Sequence, residues 1–118
     1  MNPYELGEME VRFAEIIWQH APIASGELVK LCEKELDWKK STTYTMLRRL
    51  IERGIFANDD AIVRTVITRA EFNARRSEHF VSENFDGSLP AFLAAFTSRK
   101  KLSEKEIEEL RRIIEGGN

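Results

Sequence analysis

Apolar residues recur along the first half of the chain at helical spacing. Met9, Phe13, Ile16 and Ile17 share one face of a helix over residues 8–20, which Ala21-Pro22 ends. Leu28, Leu31, Cys32 and Leu36 repeat the spacing and predict a second helix from about Ser25 to Glu35. After the short connection Asp37-Trp38-Lys39-Lys40, the stretch STTYTMLRRLIERG (Ser41–Gly54) predicts a third helix. Arg53 stands in its last turn, and Gly54 where a left-handed cap is expected.

The period then changes. Ile55-Phe56-Ala57 and Ala61 to Ile67 read as two short strands around the turn formers Asn58-Asp59-Asp60. Three helices followed by a hairpin is the order of a winged helix-turn-helix domain, placed at residues 1–70. Thr68-x-x-Glu71 has the form of a capping box and opens a fourth helix, thin in apolar content, that Phe85-Asp86-Gly87-Ser88 breaks. Ser88 caps a fifth helix, with Pro90 tolerated in its first turn. Ser103-x-x-Glu106 is a second capping box, with Leu102 and Ile107 placed as a hydrophobic staple, and Gly116-Gly117 ends the last helix.

Residues 71–118 therefore carry short helices with narrow stripes: Phe80 and Phe85 on the fourth, Leu89, Phe92, Leu93 and Phe96 on the fifth, Ile107, Leu110 and Ile114 on the sixth. Fewer than about 50 residues seldom sustain a core alone, so these stripes are expected to bury themselves against a second copy. The expected fold is mainly α: a winged helix-turn-helix domain followed by a C-terminal helical dimerisation region.

The third helix is unusual in its outer face. At 100° per residue, Thr43, Met46, Leu47, Leu50 and Ile51 gather on one side. Ser41, Thr45, Arg48, Arg49 and Glu52 lie opposite, with Thr42 and Tyr44 on the flanks. Short hydroxyl side chains let a helix come close to base edges, and arginine bonds bidentately to guanine or to phosphate. Ser41, Thr42, Thr45, Arg48 and Arg49 are thus candidates for base contact. Lys39, Lys40, Tyr44, Arg53 and Arg64 are candidates for phosphate contact. A solvated face would explain charges on one helix equally well. The preceding helix, the following hairpin and the one-sided charge favour the DNA reading, since Lys39, Lys40, Arg48, Arg49 and Arg53 face only Glu52 within the segment.

Charge sharpens this picture. The net charge of −2 does not suggest a nucleic-acid partner, but it is unevenly spread: residues 1–38 carry −5, residues 39–76 carry +5, and residues 77–118 carry −2. Fields act locally, within about 10 Å at 0.1 M salt, so the cationic middle is what matters. No run approaches the roughly 18 apolar residues of a membrane span, and Glu5, Glu8 and Glu10 stand where a signal peptide would need other residues. A single cysteine leaves no intramolecular disulfide. A soluble, cytoplasmic protein is expected.

In several places the chain resembles the penicillinase-repressor family, also called the BlaI/MecI/CopY type. The resemblance runs from Leu6 to Ile114. It is carried by Leu6…Glu10, Ile16-Ile17-Trp18, Pro22-Ile23, Trp38, the run Ser41 to Leu50 and Arg53-Gly54, then by Phe85 to Leu89 and Leu102 to Arg111. It implies a homodimeric winged-helix repressor that binds palindromic operator DNA, with Lys40, Thr42, Thr43, Thr45, Arg48 and Arg49 on or beside the recognition helix. The inward position of Thr43 ranks it below Thr45 and Arg48. The resemblance also implies a regulatory protease acting within the dimerisation helices, near Ala95 and Phe96. The same residues read as helix packing, which is the preferred reading. Some positions depart from the family: Gly7 at the first helix cap, Lys39 and Lys40 after the tryptophan, and an acidic wing tip at Asn58-Asp59-Asp60-Ala61 that leaves Arg64 as the wing's candidate contact. The chain lacks the C-terminal cysteine cluster of the copper-responsive branch.

The rest of the chemistry is bland. Cys32 reads as a small core residue, His20 as a helix-dipole partner, and Trp18 and Trp38 as core. No metal-ligand spacing, cofactor motif or nucleophile–base pair stands out, so no cofactor, metal or enzymatic activity is expected. The alternative function is a winged-helix protein-interaction adaptor without sequence-specific DNA binding. A ligand-sensing regulator is disfavoured by the shortness of the C-terminal segment.

Overall fold

The computed structural model describes residues 4–116. The elements run α1 (Glu8–His20), β1 (Ile23–Ala24), α2 (Ser25–Leu36), α3 (Lys40–Glu52), β2 (Phe56–Asp59), β3 (Ile62–Thr65), α4 (Arg69–Phe85), α5 (Leu89–Arg99) and α6 (Glu104–Gly116). The architecture is mainly α with a small three-stranded antiparallel sheet, in agreement with the expected winged helix followed by C-terminal helices. The chain divides into two compact units after Ser77, inside α4.

The first unit has a closed core. Phe13 and Ile17 of α1, Leu28 and Cys32 of α2, Leu47 and Leu50 of α3, and Phe56 and Val63 of the sheet are buried together. Each large side chain so buried contributes roughly 1.5–3 kcal/mol relative to exposure. The same apolar surroundings push the Cys32 thiol up to about 11. The stripe predicted for α1 is kept except at Met9, which is 38 % exposed.

Phe72 explains why the units part within α4 rather than at its start. It is buried, and its ring meets Tyr4 and Trp18 with centroids 6.0 and 5.6 Å away. The first turns of α4 are thus bound into the N-terminal core. Trp18 Nε1 donates to Ile67 O at 2.9 Å, and Arg69 pairs with Glu15 and lies over the Trp18 ring. Thr68 Oγ1 accepts from the Glu71 amide as predicted, while the Glu71 carboxylate turns to Arg75 rather than back to the cap.

The sheet holds an element that periodicity did not reveal. Residues 23 and 24 form β1, which pairs with β3 (Ile23 opposite Val63, Ala24 opposite Ile62), giving the order β1-β3-β2. Two residues are too few for an alternating pattern to register in a sequence. The hairpin turn lies at Asp60 and Ala61, with φ of 51° and 64°. Positive φ at both central positions matches the twist of a two-residue hairpin, and Asp accepts it more readily than Ala.

The second unit is built differently. Phe80, Phe85, Phe92 and Phe96 form a chain of ring contacts with centroids 5.5–6.2 Å apart. Ser88 caps α5 by accepting from the Ala91 amide at 3.1 Å. Ser103 and Glu106 complete the capping box of α6 in both directions, at 3.0 and 3.1 Å, and these bonds hold the Glu106 carboxyl below its usual range. Among the described residues, however, none after Phe72 is buried. Leu102, Ile107, Leu110 and Ile114 line an open groove of about 330 Å³ along α6.

Candidate nucleic-acid interface

Helix α3 is held firmly from within and left open outside. Thr43, Leu47 and Leu50 are 1, 2 and 0 % exposed and point into the core, as the helical wheel predicts. Thr43 Oγ1 bonds back to the Lys39 carbonyl at 3.3 Å, so its hydroxyl takes part in the helix start. The helix stops on a Schellman arrangement. Gly54, at φ 79°, donates to Ile51 O at 2.9 Å, and Ile55 donates to Leu50 O at 3.1 Å. Gly54 fits because a side chain there would carry left-handed strain.

Ser41, Thr42, Thr45, Arg48 and Arg49 are all exposed. Arg49 makes a weak contact with Met46 Sδ at 3.7 Å. Among the described residues, Lys39, Lys40, Arg48 and Arg49 form no ion pair. Their charge is therefore offered to solvent. Lys39 is the N-cap residue, and its side chain makes no cap bond. The first amide groups of α3 therefore lack a side-chain acceptor and add the positive end of the helix dipole to the lysine charges. This end of the helix is suited to a phosphate group.

Three phosphate candidates are committed elsewhere. Tyr44 is partly buried and packs against the core, and its hydroxyl donates to Ser25 Oγ at 3.3 Å, tying α3 to the start of α2. Arg53 turns inward: it donates to Glu5 O at 2.9 Å and lies 3.8 Å from Glu10 Oε2, with its side chain 24 % exposed. Glu10 Oε1 meanwhile accepts from the Gly7 amide at 3.0 Å, so Arg53 and Glu10 together tie the end of α3 to the start of α1. Arg64 is exposed but ion-paired with Asp59. The Arg53 contact crosses 48 positions, and no local pattern reveals it. The Arg64 pair was legible, since residues five apart around a two-residue hairpin turn lie diagonally on one face.

The described residues hold no group of three or more His, Cys, Asp and Glu side chains placed to bind a metal ion. No described helix is long and apolar enough to cross a membrane.

Comparison with known proteins agrees with this geometry. The family model described as Penicillinase repressor matches residues 6–116. The penicillinase repressor of Bacillus licheniformis is 27 % identical over 94 % of this chain and 90 % of its own length. The methicillin resistance regulatory protein MecI of Staphylococcus aureus is 25 % identical over 94 % of both chains, and that of Mammaliicoccus sciuri is 24 % identical over the same shares.

Proposed function

The chain belongs to the penicillinase repressor family of transcriptional repressors, and we propose that it acts as a homodimer reading a palindromic operator through the outer face of α3. The observation that carries this reading is that face itself: three hydroxyls and two arginines, all exposed, beside two lysines that have no carboxylate partner among the described residues. Lys39, Lys40 and the open helix start would hold phosphates, and Ser41, Thr42, Thr45, Arg48 and Arg49 would approach bases. Arg53 and Tyr44 serve instead to orient the helix.

Dimerisation would proceed through the second unit. Phe80, Leu89, Phe96, Ile107 and Ile114 are 44–69 % exposed there, and a second copy would cover them. Two copies related by a two-fold axis present two α3 helices, which calls for two inverted half-sites.

Charge reversal on α3 tests the proposal. A chain carrying Lys40→Glu, Arg48→Glu and Arg49→Glu should keep its helical content and its state of association yet lose binding to duplex DNA. Retained binding would move the adaptor reading to first place.

Release by proteolysis is a finer proposal. Ala95 and Phe96 are exposed in α5, but their peptide bonds lie within the helix, and Ser98 Oγ donates to Ala95 O at 2.7 Å. A protease would have to unwind this turn before cutting. A chain that stays intact in cells under every inducing stress contradicts release by cleavage.

A further inference from the structure

The hairpin carries a counter-ion for its own arginine. Ala57 pairs with Arg64 and Asp59 with Ile62 across the β2–β3 ladder. Ala57, Asp59, Ile62 and Arg64 therefore share one face, while Phe56 and Val63 are buried on the other. On that outer face Arg64 Nε reaches diagonally toward the tip and meets Asp59 Oδ2 at 2.5 Å. Both side chains are more than half exposed, so the pair stands open to an approaching polyanion. Among the described residues, Lys39 at the cap of α3 and Lys40, Arg48 and Arg49 within it have no such carboxylate.

Resting on the DNA-binding reading above, we propose that Asp59 is an affinity-limiting residue that competes with the DNA backbone for Arg64. A carboxylate and a phosphate offer the same guanidinium the same kind of charged oxygen. A phosphate that binds Arg64 must displace Asp59 and then lie beside an uncompensated negative charge. The wing therefore withholds a contact that its own sequence supplies. Tight operator complexes differ mainly in how slowly they dissociate, so withholding that contact lets the repressor leave its site sooner.

Asp60 provides the control. It carries the same charge one position further along the tip, at φ 51°, and forms no ion pair among the described residues. Asparagine tolerates that conformation, so Asp60→Asn removes charge without disturbing the turn. The test uses full-length chain and two duplexes: a site selected from a random pool by the wild-type protein, and a scrambled duplex of the same length. Asp59→Asn should bind both about three- to tenfold more tightly, with a salt dependence of log K steeper by about one per wing. Asp60→Asn should gain less than about twofold, since it relieves only screened repulsion. Adding Arg64→Ala to Asp59→Asn should cancel most of the gain.

Three results overturn the proposal. One is no gain from Asp59→Asn. A second is an equal gain from both asparagine variants that survives Arg64→Ala, which would leave general repulsion alone. The third is a wild-type protein that selects no site, which removes the DNA-binding reading and this inference with it. The first two leave that reading standing.

Discussion

Phe56 and Phe96 both sit on apolar stripes, yet Phe56 is 1 % exposed and Phe96 is 45 % exposed. The contrast runs through the whole chain. In the first unit, stripes from α1, α2, α3 and the sheet converge on one core, and Phe72 joins them from α4. In the second unit the stripes are as regular, and the helix caps are better satisfied, but among the described residues none after Phe72 is buried. Secondary structure and tertiary burial are separate achievements: caps and periodicity make a helix, and only a facing surface makes a core. The first unit supplies its own facing surface. The proposed function assigns that role in the second unit to another copy of the chain.

The sharpest way to break this contrast is to truncate an aromatic side chain in each unit. Phe56→Ala should cost about 3–5 kcal/mol of stability in urea unfolding, because a fully buried ring leaves a cavity. Phe96→Ala should cost far less in the monomer, and its effect should shrink as the protein is diluted below its dissociation constant. Equal costs at all concentrations would mean that the two units do not differ as described.

Next in size is a charge placed on α6. Ile113 and Ile114 are 66 and 69 % exposed, so Ile114→Asp should barely alter the fold of a monomer. It should weaken self-association by roughly 2–3 kcal/mol, the cost of losing a buried isoleucine, as read by sedimentation equilibrium. An unchanged association constant would remove α6 from the dimer surface.

On the first unit, Arg48→Ala should lower discrimination between the selected site and single-base variants by about 1–3 kcal/mol, measured by competition binding. Uniform weakening on every sequence would instead make Arg48 a phosphate contact. Tyr44→Phe should have the smallest effect. Losing the bond to Ser25 should lower stability by about 1 kcal/mol or less, with the affinity for DNA unchanged. A weaker affinity on all duplexes would return Tyr44 to the phosphate contacts.

The sequence revealed most of what is local. The inward turn of Thr43, Leu47 and Leu50, the left-handed Gly54 and the cap at Ser103 follow from spacing and turn chemistry. What it concealed depends on contacts between distant segments. Arg53 looks like one more cation of α3 until the fold brings Glu5 and Glu10 beside it. Tyr44 looks like a flanking residue until Ser25 accepts its hydroxyl. A charged side chain can be assigned to a ligand only after its intramolecular partners are known, and those partners lay up to 48 positions away. The exposure of the outer face of α3 was legible because helical spacing alone sets which residues turn away from the core.

The most direct test of the role proposed for that face is selection from a pool of random duplexes, with the affinity of the recovered sites followed against salt. The prediction is a two-fold-symmetric motif bound with steep salt dependence, as expected for a dimer that places two α3 helices in successive major grooves. Recovery of no motif, with weak binding that vanishes by physiological salt, would contradict it and leave α3 a cationic surface without a reading function.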